Sequence, residues 1–212
     1  MADYGDWTAF RWNAAMVFNR NRATSSLNVP HNFNIGYLYE LPFGRTKKWV
    51  TSGVPAAMLG GWQLNGIFNA YAGRYYTLTA SGASLNMPGN QQTPDQVKPE
   101  VAKLGKVGDD GTWFDTTAFA RPTGARFGNV GRNTMSGPGV INMDMSVFRN
   151  FKVTERFNLQ FRGESFNVSN TPHFSNPNAN RNSSSFGMIT STQSADALGR
   201  SREFRLGLRL GF

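Results

Sequence analysis

Apolar and polar residues alternate strictly at the end of the chain. Phe204, Leu206, Leu208, Leu210 and Phe212 share one parity, and Glu203, Arg205, Gly207, Arg209 and Gly211 share the other. In an extended strand these two sets project to opposite sides. One side suits hydrocarbon and the other a watery interior, which is the dyad pattern of a transmembrane β-strand.

The same period recurs upstream. Phe157, Leu159 and Phe161 alternate with Asn158, Gln160, Arg162 and Glu164. Ile141, Met143, Met145 and Val147 alternate with Asn142, Asp144 and Ser146, and Phe148 breaks the run. Lys152-Val153-Thr154-Glu155 between them reads as a tight turn. Phe33, Ile35, Tyr37, Tyr39 and Leu41 oppose Asn34, Gly36 and Glu40, with Leu38 the exception. Trp62, Leu64 and Phe68 oppose Gln63, Asn65 and Asn69 less cleanly. Strands are therefore expected over 31–41, 61–72, 139–151, 156–168 and 201–212. Residues 1–29 are expected to form a strand or a loop, with 6–19 the strand candidate. Residues 74–80 are expected to extend the preceding strand or to form a small one of their own.

Helical periodicity is scarce. Val54-Pro55-Ala56-Ala57-Met58-Leu59 is one short candidate, stopped by Gly60-Gly61, and residues 95–105 suggest a brief helical turn. Two links, 81–138 and 169–199, are rich in Gly, Pro, Asn and Ser and far exceed the usual ~4–6 residues. The turns on the other side, 42–60 and 152–155, are shorter. Long loops on one rim and short turns on the other are characteristic of outer-membrane barrels. With the C-terminus at the periplasmic rim, strand parity makes the long links extracellular. The fold class expected is thus all-β, an antiparallel transmembrane β-barrel contributing about five or six strands of a larger barrel.

Composition agrees with this picture. Charged residues make up 17% of the 212 residues and aromatic residues 13%, against about 25% charged in an ordinary soluble domain. Tyr37, Tyr39, Trp62 and Phe151 lie near strand ends, where aromatic girdles form. An ordinary soluble β-sandwich core is the alternative for these aromatics. The absence of Cys excludes disulfides and thiol chemistry. The formal net charge of +9 raises nucleic acid as a partner, but the cations are scattered and the densest cluster, Arg45-Thr46-Lys47-Lys48, is short. No nucleic-acid partner is expected. No stretch approaches the ~20 apolar residues of a membrane helix, and the first residues do not read as a signal peptide. An export signal is expected upstream, which makes the chain a C-terminal piece.

His31-Asn32-Phe33, Tyr39-Glu40-Leu41-Pro42-Phe43-Gly44 and Gly60-Gly61-Trp62-Gln63-Leu64 resemble the late barrel strands of TonB-dependent outer-membrane receptors. The resemblance continues through Phe127-Gly128-Asn129-Val130-Gly131-Arg132-Asn133, Gly137-Pro138-Gly139 and Phe148-Arg149-Asn150-Phe151. It extends over Thr154-Glu155-Arg156 and Leu159-Gln160-Phe161-Arg162-Gly163-Glu164-Ser165-Phe166-Asn167. The most similar branch is the Oar-like group that carries a carboxypeptidase-regulatory-like domain. The resemblance implies a barrel of about 22 strands, a plug and energy supplied through TonB, reached through an N-terminal region outside this chain. It also implies outer-membrane lipid, the barrel-assembly machinery and an unidentified solute as partners. Phe204, Leu206, Leu208, Leu210 and Phe212 resemble the C-terminal signal read by that machinery.

Chemical motifs are weak. Gly128-Asn129-Val130-Gly131-Arg132-Asn133 lacks the Gly-Lys-Ser/Thr ending and strand-to-helix setting of a phosphate loop and reads as a surface turn. His31 and His173 have no metal-spaced partners and are expected in loop or rim positions. Asp109-Asp110-Gly111 and Asp115 lack the ligand ladder of a calcium loop. No cofactor, metal or catalytic residue is expected, and the chain is expected not to be an enzyme. The charges Asp144, Arg162, Glu164, Arg205 and Arg209 face the lumen side, where a ladder of cross-strand ion pairs or contact with a plug or solute is open to them. The function expected is part of a receptor for energy-coupled uptake of a scarce solute, with a structural or adhesin-like barrel as the alternative.

Overall fold

The computed structural model describes residues 12–87, 90–193 and 201–212. Along the chain come β1 (Asn32–Glu40), α1 (Gly53–Leu59), β2 (Trp62–Tyr71), β3 (Tyr75–Tyr76), β4 (Asp95–Gln96), β5 (Phe119–Ala120), β6 (Met135–Ser136), β7 (Val140–Lys152), β8 (Asn158–Phe166) and β9 (Glu203–Gly211). These elements fall into two compact units.

One unit is a sheet of five antiparallel strands in the order β1-β2-β7-β8-β9. Its register carries the period-two pattern across every pair. The row Tyr39, Leu64, Val147, Gly163, Leu206 runs across all five strands on one face. So does the row Ile35, Phe68, Met143 on the first three. A slip of one residue in any pair would put charged groups into this face, so the alternation itself fixes the register. An edge-to-face contact between Phe33 and Phe68 (6.3 Å) joins neighbouring strands, and one between Trp62 and Phe161 (5.8 Å) reaches from β2 across β7 to β8. Gly66 sits on this face opposite Tyr37, whose ring fills the space a side chain would need: a Cβ there would lie 2.6 Å from the phenolic oxygen.

Much of this apolar face is exposed among the described residues. Leu206 is 80% exposed and Leu208 71%. A soluble sheet would hide such a row. In hydrocarbon each such Leu contributes ~1.5–3 kcal/mol relative to water.

The hairpin between β7 and β8 turns at 153–157, slightly later than expected. The Val153 and Thr154 N–H groups donate to the Phe157 carbonyl (3.0 and 3.2 Å), and the Phe157 N–H donates to the Thr154 hydroxyl (3.1 Å). Phe157 is thereby held in the turn and leaves the strand to start at Asn158.

The other unit holds Met1–His31, Ala72–Gly139 and Phe174–Thr192. It is built of turns and two-residue ladders, β3 with β6 and β4 with β5, around two apolar clusters. Phe114, Phe119 and Phe186 meet edge to face at 5.3–6.1 Å, packed with Tyr76, Leu78, Ala118 and Val130. Trp12, Ala14, Val17, Leu85 and Phe127 form the second cluster. Residues 95–105 are not the expected helical turn: Asp95 and Gln96 pair with Ala120 and Phe119, because the Asp95 carboxylate is taken by Arg126 and by the Asn129 N–H. The strand candidate at 6–19 lies partly outside the described residues. Within them Ala15–Asn21 forms a 3-10 helix, and residues 74–80 contribute β3. The end of the link at 169–199 also falls outside the described residues.

Candidate functional site on the polar face of the sheet

The second face of the sheet is polar almost throughout. Across it run Leu38, Asn65, Ser146, Glu164 and Arg205 in one row, and Glu40, Gln63, Phe148, Arg162 and Gly207 in the next. Further along, Asn150 faces Gln160 and Gln160 faces Arg209. Leu38 and Phe148, which break the alternation, therefore both point to the polar side, as does Ile67.

Four of the five lumen charges named from the sequence take part in these rows. Arg162 Nη1 lies 3.5 Å from Glu164 Oε1, and Arg205 Nε lies 2.7 Å from Glu203 Oε1. These ion pairs run along a strand, between residues two apart, while Glu164 and Arg205 stand opposite each other in register. The ladder is thus a lattice of alternating sign, Arg162–Glu164 beside Arg205–Glu203, and not a stack of pairs across strands alone. Arg209 stands opposite Gln160.

Asp144 departs from the expected ladder. Its Oδ1 accepts from the Asn167 backbone N–H (2.8 Å) and from Asn142 Nδ2 (3.0 Å). Asn167 lies just beyond β8 with φ 47°. The carboxylate therefore satisfies a donor released where the strand ends, which is a capping role.

Hydrogen bonds complete the face. Gln63 donates to Glu40 (3.3 Å), Gln160 to Asn150 (3.0 Å), and the Ser146 hydroxyl to Asn65. A concavity of about 610 Å³ opens here, lined among others by Leu38, Asn65, Ile67, Asp144, Arg162 and Glu164. Exposed Leu38 and Ile67 give it an apolar patch among mixed charges. Such a surface can hydrogen-bond a polar solute or a protein segment. Among the described residues no group of three His, Asp or Glu side chains is placed to hold a metal.

The other sequence candidates have structural roles. His173 lies in the loop after β8, as expected, but is buried there, with Nε2 3.1 Å from the Ile141 carbonyl oxygen. The exposed His31 gives its carbonyl to the Ala72 N–H (2.9 Å). Asp115 caps the 3-10 turn Thr116–Ala118 through the Thr117 N–H (3.0 Å) and pairs with Lys98 (2.6 Å). Lys98 beside it, with the Thr117 hydroxyl, holds its carboxyl at about 2. Asp109 and Asp110 lie in a single 3-10 turn.

The glycine-rich run from Gly128 is a brace. Gly128 N–H donates to Gln92 Oε1 (2.9 Å), Val130 N–H to the Pro94 carbonyl (3.2 Å), and Asn129 exchanges bonds with Gln96. A Cβ on Gly128 would lie 2.0 Å from the Thr93 carbonyl oxygen. Glycine is needed there for close backbone approach, not for a phosphate. Asn133 (φ 51°) ties Thr77 and Thr24 together.

Sequence reading missed the clamp at the strand ends beside α1. Arg149 projects from the apolar face and donates to the carbonyls of Met58 (2.6 Å) and Ala57, with its guanidinium 4.4 Å from the Phe151 ring. The signal was a lone Arg at an apolar parity position between Val147 and Phe151.

A family model described as an outer membrane beta barrel domain matches residues 3–205. No curated protein and no solved structure matches the chain. The match spans both units, and the five-stranded antiparallel sheet supplies the two-faced strands that such a domain requires. The chain belongs to the outer membrane beta barrel domain family and is a bacterial outer-membrane protein.

Proposed function

We propose that the sheet is part of the barrel of a TonB-dependent receptor, taking up a scarce solute by energy-coupled transport and performing no covalent chemistry. The observation that carries this reading is the polar face. Glu164, Arg162, Arg205 and Glu203 are ordered in alternating sign, and Arg162 and Glu164 line a concavity of about 610 Å³. A lumen built this way contacts a plug or a solute through many modest bonds. The sequence motifs from His31 to Asn167 support the receptor assignment. The partners this reading calls for are TonB, the barrel-assembly machinery and outer-membrane lipid.

A structural or adhesin-like barrel is the second reading. It is favoured by the unit carrying the long links, which has its own aromatic core and so could present a built surface.

One experiment separates them. A strain lacking the gene, a strain lacking TonB and their complemented partners are compared for accumulation of limiting ferric siderophores, cobalamin, oligosaccharides and peptides. The receptor reading requires a solute whose uptake falls in both mutants, and charge reversal at Arg162 should lower that uptake. Unchanged uptake across the panel, with loss of surface attachment, favours the adhesin-like barrel.

A further inference from the structure

The connection from β1 to β2 carries positive charge and straddles the end of the sheet: Lys47 reaches Glu40 on the polar face, while α1 is held on the lipid side. Arg149 and Trp62 both project from the apolar face, and both bind the last turn of α1: Arg149 through the Met58 and Ala57 carbonyls, Trp62 through its indole N–H to Met58 (3.1 Å). These bonds fix α1 beside the apolar rows and not over the polar ones. They also satisfy carbonyls at the helix end, so that end can leave bulk water.

The helix is one-sided. Ala56 and Gly60 are buried, and a Cβ on Gly60 would lie 2.9 Å from Gly44 Cα. Val54, Met58 and Leu59 point outward and are exposed, as is Trp49 nearby. The exposed apolar surface of this connection is continuous with the lipid-facing rows through Trp62. Residues 41–61 contain Arg45, Lys47 and Lys48 and no acidic residue. Lys47 is paired with Glu40 (2.5 Å), while Arg45 and Lys48 extend outward, Lys48 5.7 Å from the Trp49 ring. Apolar side chains beside cations, at the level where the apolar strand face ends, make an interfacial element.

We propose that residues 41–61 bind an anionic phospholipid, with Val54, Met58 and Leu59 at the acyl boundary and Arg45 and Lys48 on the phosphate. The lipid is phospholipid and not lipid A, because the short turns 41–61 and 153–157 leave the sheet at this end and the long links leave at the other, which makes this the periplasmic rim. The inference rests on the outer-membrane setting and not on uptake, so loss of the receptor reading leaves it standing.

The test uses the protein purified from outer membranes in phosphatidylcholine nanodiscs. These are doped at the same low mole fraction with brominated-acyl phosphatidylglycerol, phosphatidylcholine or lipid A. Quenching of Trp49 is read as the difference between wild type and Trp49→Phe. Brominated phosphatidylglycerol should be enriched at Trp49 over brominated phosphatidylcholine by about fivefold per engaged cation. The enrichment should vanish in Arg45→Gln/Lys48→Gln and persist in Arg45→Lys/Lys48→Arg. Equal quenching by the two phospholipids, quenching by neither, or preferential enrichment of lipid A would each overturn the proposal. The wild-type comparison decides on its own if the double variant does not assemble.

Discussion

Leu206→Arg is the sharpest perturbation of the lipid-facing surface. Leu206 stands near the middle of β9, on the row Tyr39, Leu64, Val147, Gly163, Leu206, and is 80% exposed. If water bathed this face, exchanging one exposed side chain for another would change stability by no more than about 0.5 kcal/mol. In a bilayer the same position lies near the midplane, where an Arg costs about 2–4 kcal/mol. That corresponds to roughly a thirty- to thousandfold shift in the folding equilibrium. Its neighbour Gly207 points to the polar face, with open space where a Cβ would stand. Gly207→Gln is therefore the control and should be neutral or slightly stabilising, since Gly weakens a strand. Both variants are followed by urea unfolding in lipid bilayers, read by tryptophan fluorescence and heat-modifiable migration. A Leu206→Arg variant within about 0.5 kcal/mol of wild type, or one no worse than Gly207→Gln, would refute the assignment of this face to hydrocarbon.

Four further outcomes are expected. Val50 is a β-branched residue at φ 52°, so Val50→Gly should stabilise the fold by about 1 kcal/mol in the same unfolding assay. Gly128→Ala forces a Cβ against the Thr93 and Pro94 carbonyls and should cost about 1–3 kcal/mol, seen as faster proteolysis of residues 92–130. The Asp115 carboxyl is lowered to about 2 from 3.8, and Asp95 is lowered by Arg126. Depressed carboxyls stabilise above their unfolded values and lose that contribution as pH falls through the folded ones, so the Asp115 turn should hold down to about pH 4 and loosen between there and about pH 2, and the Asp95 contact with Arg126 should likewise weaken on acidification, as NMR titration of the two carboxyls would report. Phe212→Ala in the whole protein should lower the amount assembled in the outer membrane more than it lowers ligand affinity, and unchanged membrane levels by quantitative blotting would count against an assembly role.

The sheet was legible because period two is written into the residues. Each strand from Phe33 to Leu210 follows it, and the register then follows from matching the two faces. Leu38 and Phe148 broke the pattern without breaking the strands, since a barrel interior tolerates an occasional apolar group. The unit with the long links was not legible. Its core comes from Trp12, Phe114, Phe119, Phe127 and Phe186, each isolated among Gly, Pro and Asn. Such a core rests on contacts far apart in sequence and on backbone-directed side chains such as Gln92 and Asn133, and no period announces these. The charged face was legible in which side each residue takes, because parity sets that. Partners were not: Asp144 caps a backbone N–H because Asn167 turns the chain out of β8, and alternation is silent about turns. Arg149 was missed for a related reason, since its partner carbonyls lie about ninety residues earlier.

The two faces carry a further demand. Among the described residues β1 pairs only with β2, and β9 only with β8. In an edge strand alternate residues direct their N–H and C=O groups outward, so two strands of this length leave roughly fifteen to twenty such groups without partners. In water these groups are solvated at little cost. In hydrocarbon each costs several kcal/mol, a sum of tens of kcal/mol against a usual net stability of about 5–15. No gain from Leu206, Leu208 and their row offsets that, because the apolar face contributes to insertion only if the edges are closed. The surface that places the sheet in lipid therefore also requires further strands against β1 and β9, supplied by the same polypeptide or by another copy. Photocrosslinking groups introduced at positions 33 and 208, on the two edge strands, would show which: crosslinks only to strands of the same polypeptide mean one chain closes the barrel, and intermolecular products mean that several chains share it.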